Sequence, residues 1–104
     1  MAGDGVTMEN HAVELYIRQR FAAYSGLTDE QLFAPDATLA TVLASSTKMT
    51  NSIDLMEALA RTSNAIRKDY GVRVRLPALP LETPTATMLK VFLEEFDKQS
   101  KAAA

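Results

Sequence analysis

The chain has 104 residues, 47% of them apolar and 23% charged, which is one domain's worth of ordinary globular composition with a modest core. Thirteen acids against 11 lysines and arginines give a formal charge of −2, without the concentrated positive charge of a nucleic-acid binder. The lack of cysteine excludes thiol nucleophiles, disulfides and zinc-thiolate sites. The single histidine, His11, excludes a multi-histidine metal site and reads as a surface residue.

Residues 1–7 carry two glycines and no core pattern, and are expected to be a flexible N-terminus. They lack the basic start and apolar block of a signal peptide, and no apolar run approaches the roughly 18–20 residues of a bilayer span. A cytoplasmic protein with no membrane or nucleic-acid partner is expected. From Met8 to Ser25 the pattern is helical. Val13, Tyr16, Ile17, Phe21 and Tyr24 recur at spacings of three and four on one stripe, and Gly26 follows as a stop.

Thr28-Asp29-Glu30-Gln31 is a capping-box pattern that starts a short helical turn, ended by Pro35. Leu39, Val42 and Leu43 dock a further short segment. Residues 44–50 are mostly polar and unpatterned, and read as exposed loop. A long helix is predicted from Asn51, a good N-cap, to Tyr70, with Asp54 in the first turn where the helix dipole favours a negative charge. Its apolar stripe reads as Ile53, Met56, Leu59, Ala60, Ile66 and Tyr70, with Gly71 as the stop.

Val72-Arg73-Val74-Arg75-Leu76 alternates strictly, as a strand does, but has no partner strand, and Pro77, Pro80 and Pro84 follow. It is read as an extended connection whose valines pack on the helices and whose arginines are solvated. A last helix starts at Thr83 or Thr85, with Pro84 suited to its first position. It buries Met88, Leu89, Phe92, Leu93 and Phe96. The domain is predicted over 8–97, with 98–104 a flexible tail. The predicted fold is all-α, a four-helix bundle of three main helices plus short helical turns.

The segment Asn51-Ser52-Ile53-Asp54-Leu55-Met56-Glu57 resembles the signature of the acyl carrier family, in which Asp-Ser-Leu opens the second of four helices. Tyr70-Gly71-Val72 resembles the aromatic-Gly-aliphatic ending of that helix. Thr83-Pro84-Thr85 resembles the Pro-Thr entry to the last one, and the run Asp36 to Leu39 resembles the loop ahead of the motif. The resemblance spans Val13 to Phe96. Asn51 stands where the family has aspartate, the usual preceding glycine is missing, and the loop and helix around Ser52 are longer than usual.

The resemblance implies a four-helix acyl-carrier-like bundle and a non-catalytic carrier. Ser52 would hold a covalent phosphopantetheine arm, with Asn51 beside it, and acyl or polyketide intermediates would ride on the arm as thioesters. It implies a phosphopantetheinyl transferase and the loading, condensing or modifying enzymes of a fatty-acid or polyketide pathway as partners. Ile53, Asp54, Met56, Glu57 and Arg61 would form the partner-binding face of a monomer. Met49 and Met56 flank Ser52 and are candidates to line an acyl-sheltering cleft. No catalytic or metal-binding constellation is visible, which leaves a stand-alone enzyme the weakest reading. A carrier-like fold that has lost the arm and serves as an interaction module is the main alternative.

Overall fold

The computed structural model describes residues 8–103, with side chains described over 11–101. The residues expected to form a flexible N-terminus lie outside this range. Five helices follow in order: α1 (Met8–Ser25), α2 (Asp29–Leu32), α3 (Leu39–Ser45), α4 (Ser52–Tyr70) and α5 (Thr85–Ala103). Among the described residues there is no strand, only an isolated bridge between Thr38 and Pro84. No described helix is long and apolar enough to cross a membrane.

The core is organised by α1. Val13, Ile17 and Phe21 fall on one stripe and are fully buried, while Tyr16 and Tyr24 flank them half-buried. α2, α4 and α5 each pack against this helix. α5 contributes Met88, Leu89, Phe92 and Phe96, with Leu93 half-buried beside them. At the far end, Tyr70 stacks edge-on between Tyr16 and Phe96, with ring centroids 5.2 and 5.7 Å apart. The Tyr16 hydroxyl lies against the Asp69 carboxylate, and burial followed by that carboxylate raises the phenol above its ordinary pKa.

Helix boundaries follow the local chemistry. α1 gives way to Gly26, and α4 to Gly71, each with positive φ, a conformation that costs a residue with a Cβ. Thr28 and Thr38 both form reciprocal capping boxes, with Gln31 and Thr41. The first two amides of α3 are satisfied across the fold: Leu39 N donates to Thr83 O and Ala40 N to Leu81 O. Thr85 N returns a bond to Ala37 O. These three bonds tie the starts of α3 and α5 together and hold the chain near Leu81 beside α4.

Several expectations are corrected. α4 does not bury Ile53, Met56, Ala60 and Tyr70: Ile53 is 67% and Met56 64% exposed, and Ala60 and Tyr70 are also exposed. The buried stripe is Leu55, Ala58, Thr62 and Ile66, on the opposite side of the helix. Thr62 is tolerated there because its hydroxyl donates to Ala58 O. Polar residues 44–50 are not all exposed loop, since α3 reaches Ser45 and Met49 is only 3% exposed. Pro84 stands just before α5 instead of inside its first turn, where its carbonyl accepts from Met88 N. The expected tail from Lys98 continues α5 to Ala103, supported by a Lys101–Asp97 ion pair and a Gln99–Glu95 hydrogen bond one turn apart.

Phe21→Ala removes the largest fully buried side chain on α1 and is expected to cost about 3–5 kcal/mol in denaturant unfolding. Gly71→Ala meets no neighbouring atom, so only its left-handed backbone matters, and a loss of roughly 1–2 kcal/mol is expected. An unchanged midpoint contradicts the burial of Phe21 in the first variant and the left-handed backbone of Gly71 in the second.

Candidate functional site

Ser52 is the first residue of α4, and the chain leading to it is tied at successive points. The Ser46 hydroxyl donates to Ser25 O at the end of α1 and accepts from Lys48 N and Met49 N. Lys48 Nζ reaches Ala23 O, and the Met49 side chain is sunk into the core. These contacts fix the loop to α1 before α4 begins. A polar, unpatterned stretch thereby becomes a defined platform.

The last tie lies inside the motif. Asn51 Oδ1 accepts from Asp54 N at 3.0 Å, the ordinary N-cap bond, worth about 1 kcal/mol. Asp54 Oδ2 accepts from both Thr50 N (2.8 Å) and Thr50 Oγ1 (2.9 Å). The loop and the first turn of α4 are thus cross-braced around Ser52. These Thr50 bonds, the backbone one foremost, hold the Asp54 carboxyl below its ordinary pKa.

Ser52 itself is left free. Its hydroxyl has no hydrogen-bond partner among the described residues, and it is exposed. The amides of Ser52 and Ile53 also have no partner among the described residues. The exposed hydroxyl thus sits at a helix start with two free amide donors and the positive end of the dipole of a 19-residue helix, features that favour a phosphate group there.

Ser52 lies on the rim of a groove of about 670 Å³ between α4 and residues 74–81. Leu55, Met56 and Leu59 form one wall and Val74, Leu76 and Leu79 the other. The lining is mainly apolar, apart from the rim residues Ser52, Ser63 and Asn64. The carbonyls of Leu81 and Thr83, bonded to the start of α3, anchor the second wall at its far end.

The residues expected at the site divide between two flanks of α4. Ser52 and Met56 face the apolar groove. Asp54, Glu57 and Arg61 line a separate polar depression with Tyr24 and Lys48 on the α1 side. Ile53 projects outward between them. Asn51 is occupied with capping, and Asp54 with bracing Thr50. Met49, expected beside Met56 in a cleft, lines the polar depression and not the groove. Sequence reasoning did not anticipate Thr50 as a brace, Ser46 as an anchor, or residues 76–81 as a groove wall. Among these, only the proline-bounded apolar run Leu76 to Leu81 carried a signal, since a loop rich in apolar residues needs a surface to rest on.

No group of acidic or histidine side chains suited to a metal ion occurs among the described residues. Comparison with protein-family models, curated proteins and solved structures finds no match to this chain.

The Asp54 brace is present while the carboxylate is ionised, above its ordinary value of 3.8, and is released as pH falls through the depressed folded value. An NMR titration should therefore place the Asp54 midpoint below 3.8, with the Thr50 amide resonance moving in step. A midpoint at or above 3.8, or a Thr50 amide indifferent to it, contradicts the brace.

Proposed function

We propose that this chain is a carrier of the acyl carrier type, holding acyl or polyketide intermediates as thioesters on a phosphopantetheine arm attached to Ser52. The observation that carries this reading is the placement of Ser52: an exposed, unpartnered hydroxyl beside two free amides at a helix start, on the rim of an apolar groove. The all-α architecture of five helices, with a long helix opening at the serine, supports this reading at the level of fold class.

The chemistry required of the chain is small. A phosphopantetheinyl transferase acts on coenzyme A. The Ser52 oxygen loses its proton and forms the phosphodiester bond as the pyrophosphate link of coenzyme A breaks, releasing the adenosine bisphosphate half. The arm supplies a terminal thiol for thioester formation. The free amides of Ser52 and Ile53 and the dipole of α4 stabilise the phosphodiester. The braces at Thr50 and Ser46 keep the serine fixed for the transferase. The groove offers an apolar cargo a place out of water, with burial worth about 0.8 kcal/mol per methylene.

A tethered cargo reaches each partner enzyme at a high effective concentration, which is the purpose of a carrier. Ile53 and Met56 are the exposed apolar contacts for such partners, and Glu57 and Arg61 the charged ones that set orientation and on-rate. In this reading the chain works as a monomer in the cytoplasm.

Incubation with coenzyme A, Mg²⁺ and a broad-specificity transferase should add one arm to the wild type and none to Ser52→Ala, read by intact mass. Asn51→Asp keeps the cap and restores the acid seen at that position in the resembled family, and should be modified severalfold faster. No addition to folded wild-type chain with several transferases overturns the carrier reading in favour of an arm-less interaction module. An unchanged rate for Asn51→Asp removes the role given to that acid.

A further inference from the structure

Between Gly71 and Pro80 the chain runs without regular structure. From Val72 to Leu79, no backbone N–H or C=O is bonded to another backbone group or to a side chain among the described residues. The neighbouring carbonyls of Pro80, Leu81 and Thr83 are all engaged, so the gap is confined to this run. Its side chains alternate as in a strand: Val72 (8% exposed) and Val74 (5%) face the core, and Arg73 and Arg75 face outward. Neither arginine has an ion-pair partner among the described residues. Pro77, which lacks an N–H, closes the run after Leu76. Residues 72–76 thus have the unpaired backbone groups, the alternating side chains and the length of an edge strand.

The charges decide what can pair with it. A second copy laid antiparallel about Val74 would set Arg73 opposite Arg75 twice, and an in-register parallel copy would set like on like. Like charges directly opposed destabilise a strand pair. An incoming strand with carboxylates at alternate positions would instead meet both guanidiniums and leave its intervening side chains to cover the apolar side.

We propose that residues 72–76 are a docking edge that accepts an extended acidic segment of a partner protein as an added strand. Backbone hydrogen bonds would supply the affinity, and Arg73 and Arg75 would select carboxylates two residues apart. This holds whether or not Ser52 carries an arm, and is tested on the unmodified chain.

The probe is a blocked peptide of alternating valine and glutamate, titrated into ¹⁵N-labelled full-length chain. Amide shifts confined to residues 71–76 are expected. Affinity should fall about tenfold for the Arg73→Glu, Arg75→Glu double variant, whose exposed changes leave the fold intact by circular dichroism. That variant should instead bind the valine–lysine counterpart. Of two glutamate peptides N-methylated at either the valine or the glutamate amides, at least one should lose binding. The proposal is overturned by any of three results: no shifts at millimolar peptide, shifts centred elsewhere, or binding of both methylated peptides as tight as that of the unmethylated one. Concentration-dependent self-association through residues 72–76 would overturn it in favour of a second copy.

Discussion

Burial of Val13, Ile17 and Phe21 along one stripe of α1 is the constraint on which the remaining architecture rests. α2, α4 and α5 each find their apolar partner on that helix, and the loop before α4 is tied to its C-terminal end through Ser25 and Ala23. Once α1 is in place, α4 must turn Leu55, Ala58, Thr62 and Ile66 toward it. Ile53 and Met56 are then forced outward, since residues two apart on a helix project about 200° from one another. The exposure of two large apolar side chains beside Ser52 is therefore a consequence of how the core is filled.

The same geometry puts Ser52 where two different environments meet. Toward the connection between α4 and α5 lies the apolar groove, and toward α1 lies the polar depression of Asp54, Glu57 and Arg61. The serine is held by bonds on its neighbours, and its own hydroxyl and amide make none among the described residues. Thr50, Asn51 and Asp54 form a closed set of bonds, while the Ser52 hydroxyl and the first two amides of α4 stay available. A plain N-cap serine would use its oxygen to satisfy one of those amides. Here Asn51 performs the capping, which leaves the serine oxygen for other chemistry.

Much of this was legible in the residues. The α1 stripe, the Thr28 capping box, the Asn51 cap, the Gly71 stop and the buried face of α5 follow from periodicity and local hydrogen bonding, which act over a few residues. The register of α4 was not legible. Two apolar sets overlap there, one through Ile53, Met56 and Ala60 and the other through Leu55, Ala58 and Ile66. Thr62 belongs to the buried set but reads as a solvent-facing polar residue until its bond to Ala58 O is known. Met49 is a single apolar residue in a polar stretch, so no pattern announced its burial. The groove depended on bonds between α3 and residues 81–83, some 40 positions apart, which no local signal encodes. At the site, the Asn51 cap that starts α4 at Ser52 was readable, while the braces at Thr50 and Ser46 were not.

If Ser52 works as proposed, a group tethered at position 52 enters the groove between α4 and residues 74–81. The chain has no cysteine, so Ser52→Cys gives a unique thiol that can carry an octyl group through a mixed disulfide without any transferase. Nuclear Overhauser contacts from the octyl chain then report where it lies. Contacts to the methyl groups of Leu55, Leu59, Val74 and Leu76 are predicted. An octyl chain with the sharp resonances of a solvated tether and no such contacts, or with contacts to Ala23 and Tyr24 on the other flank, would contradict the role given to the groove.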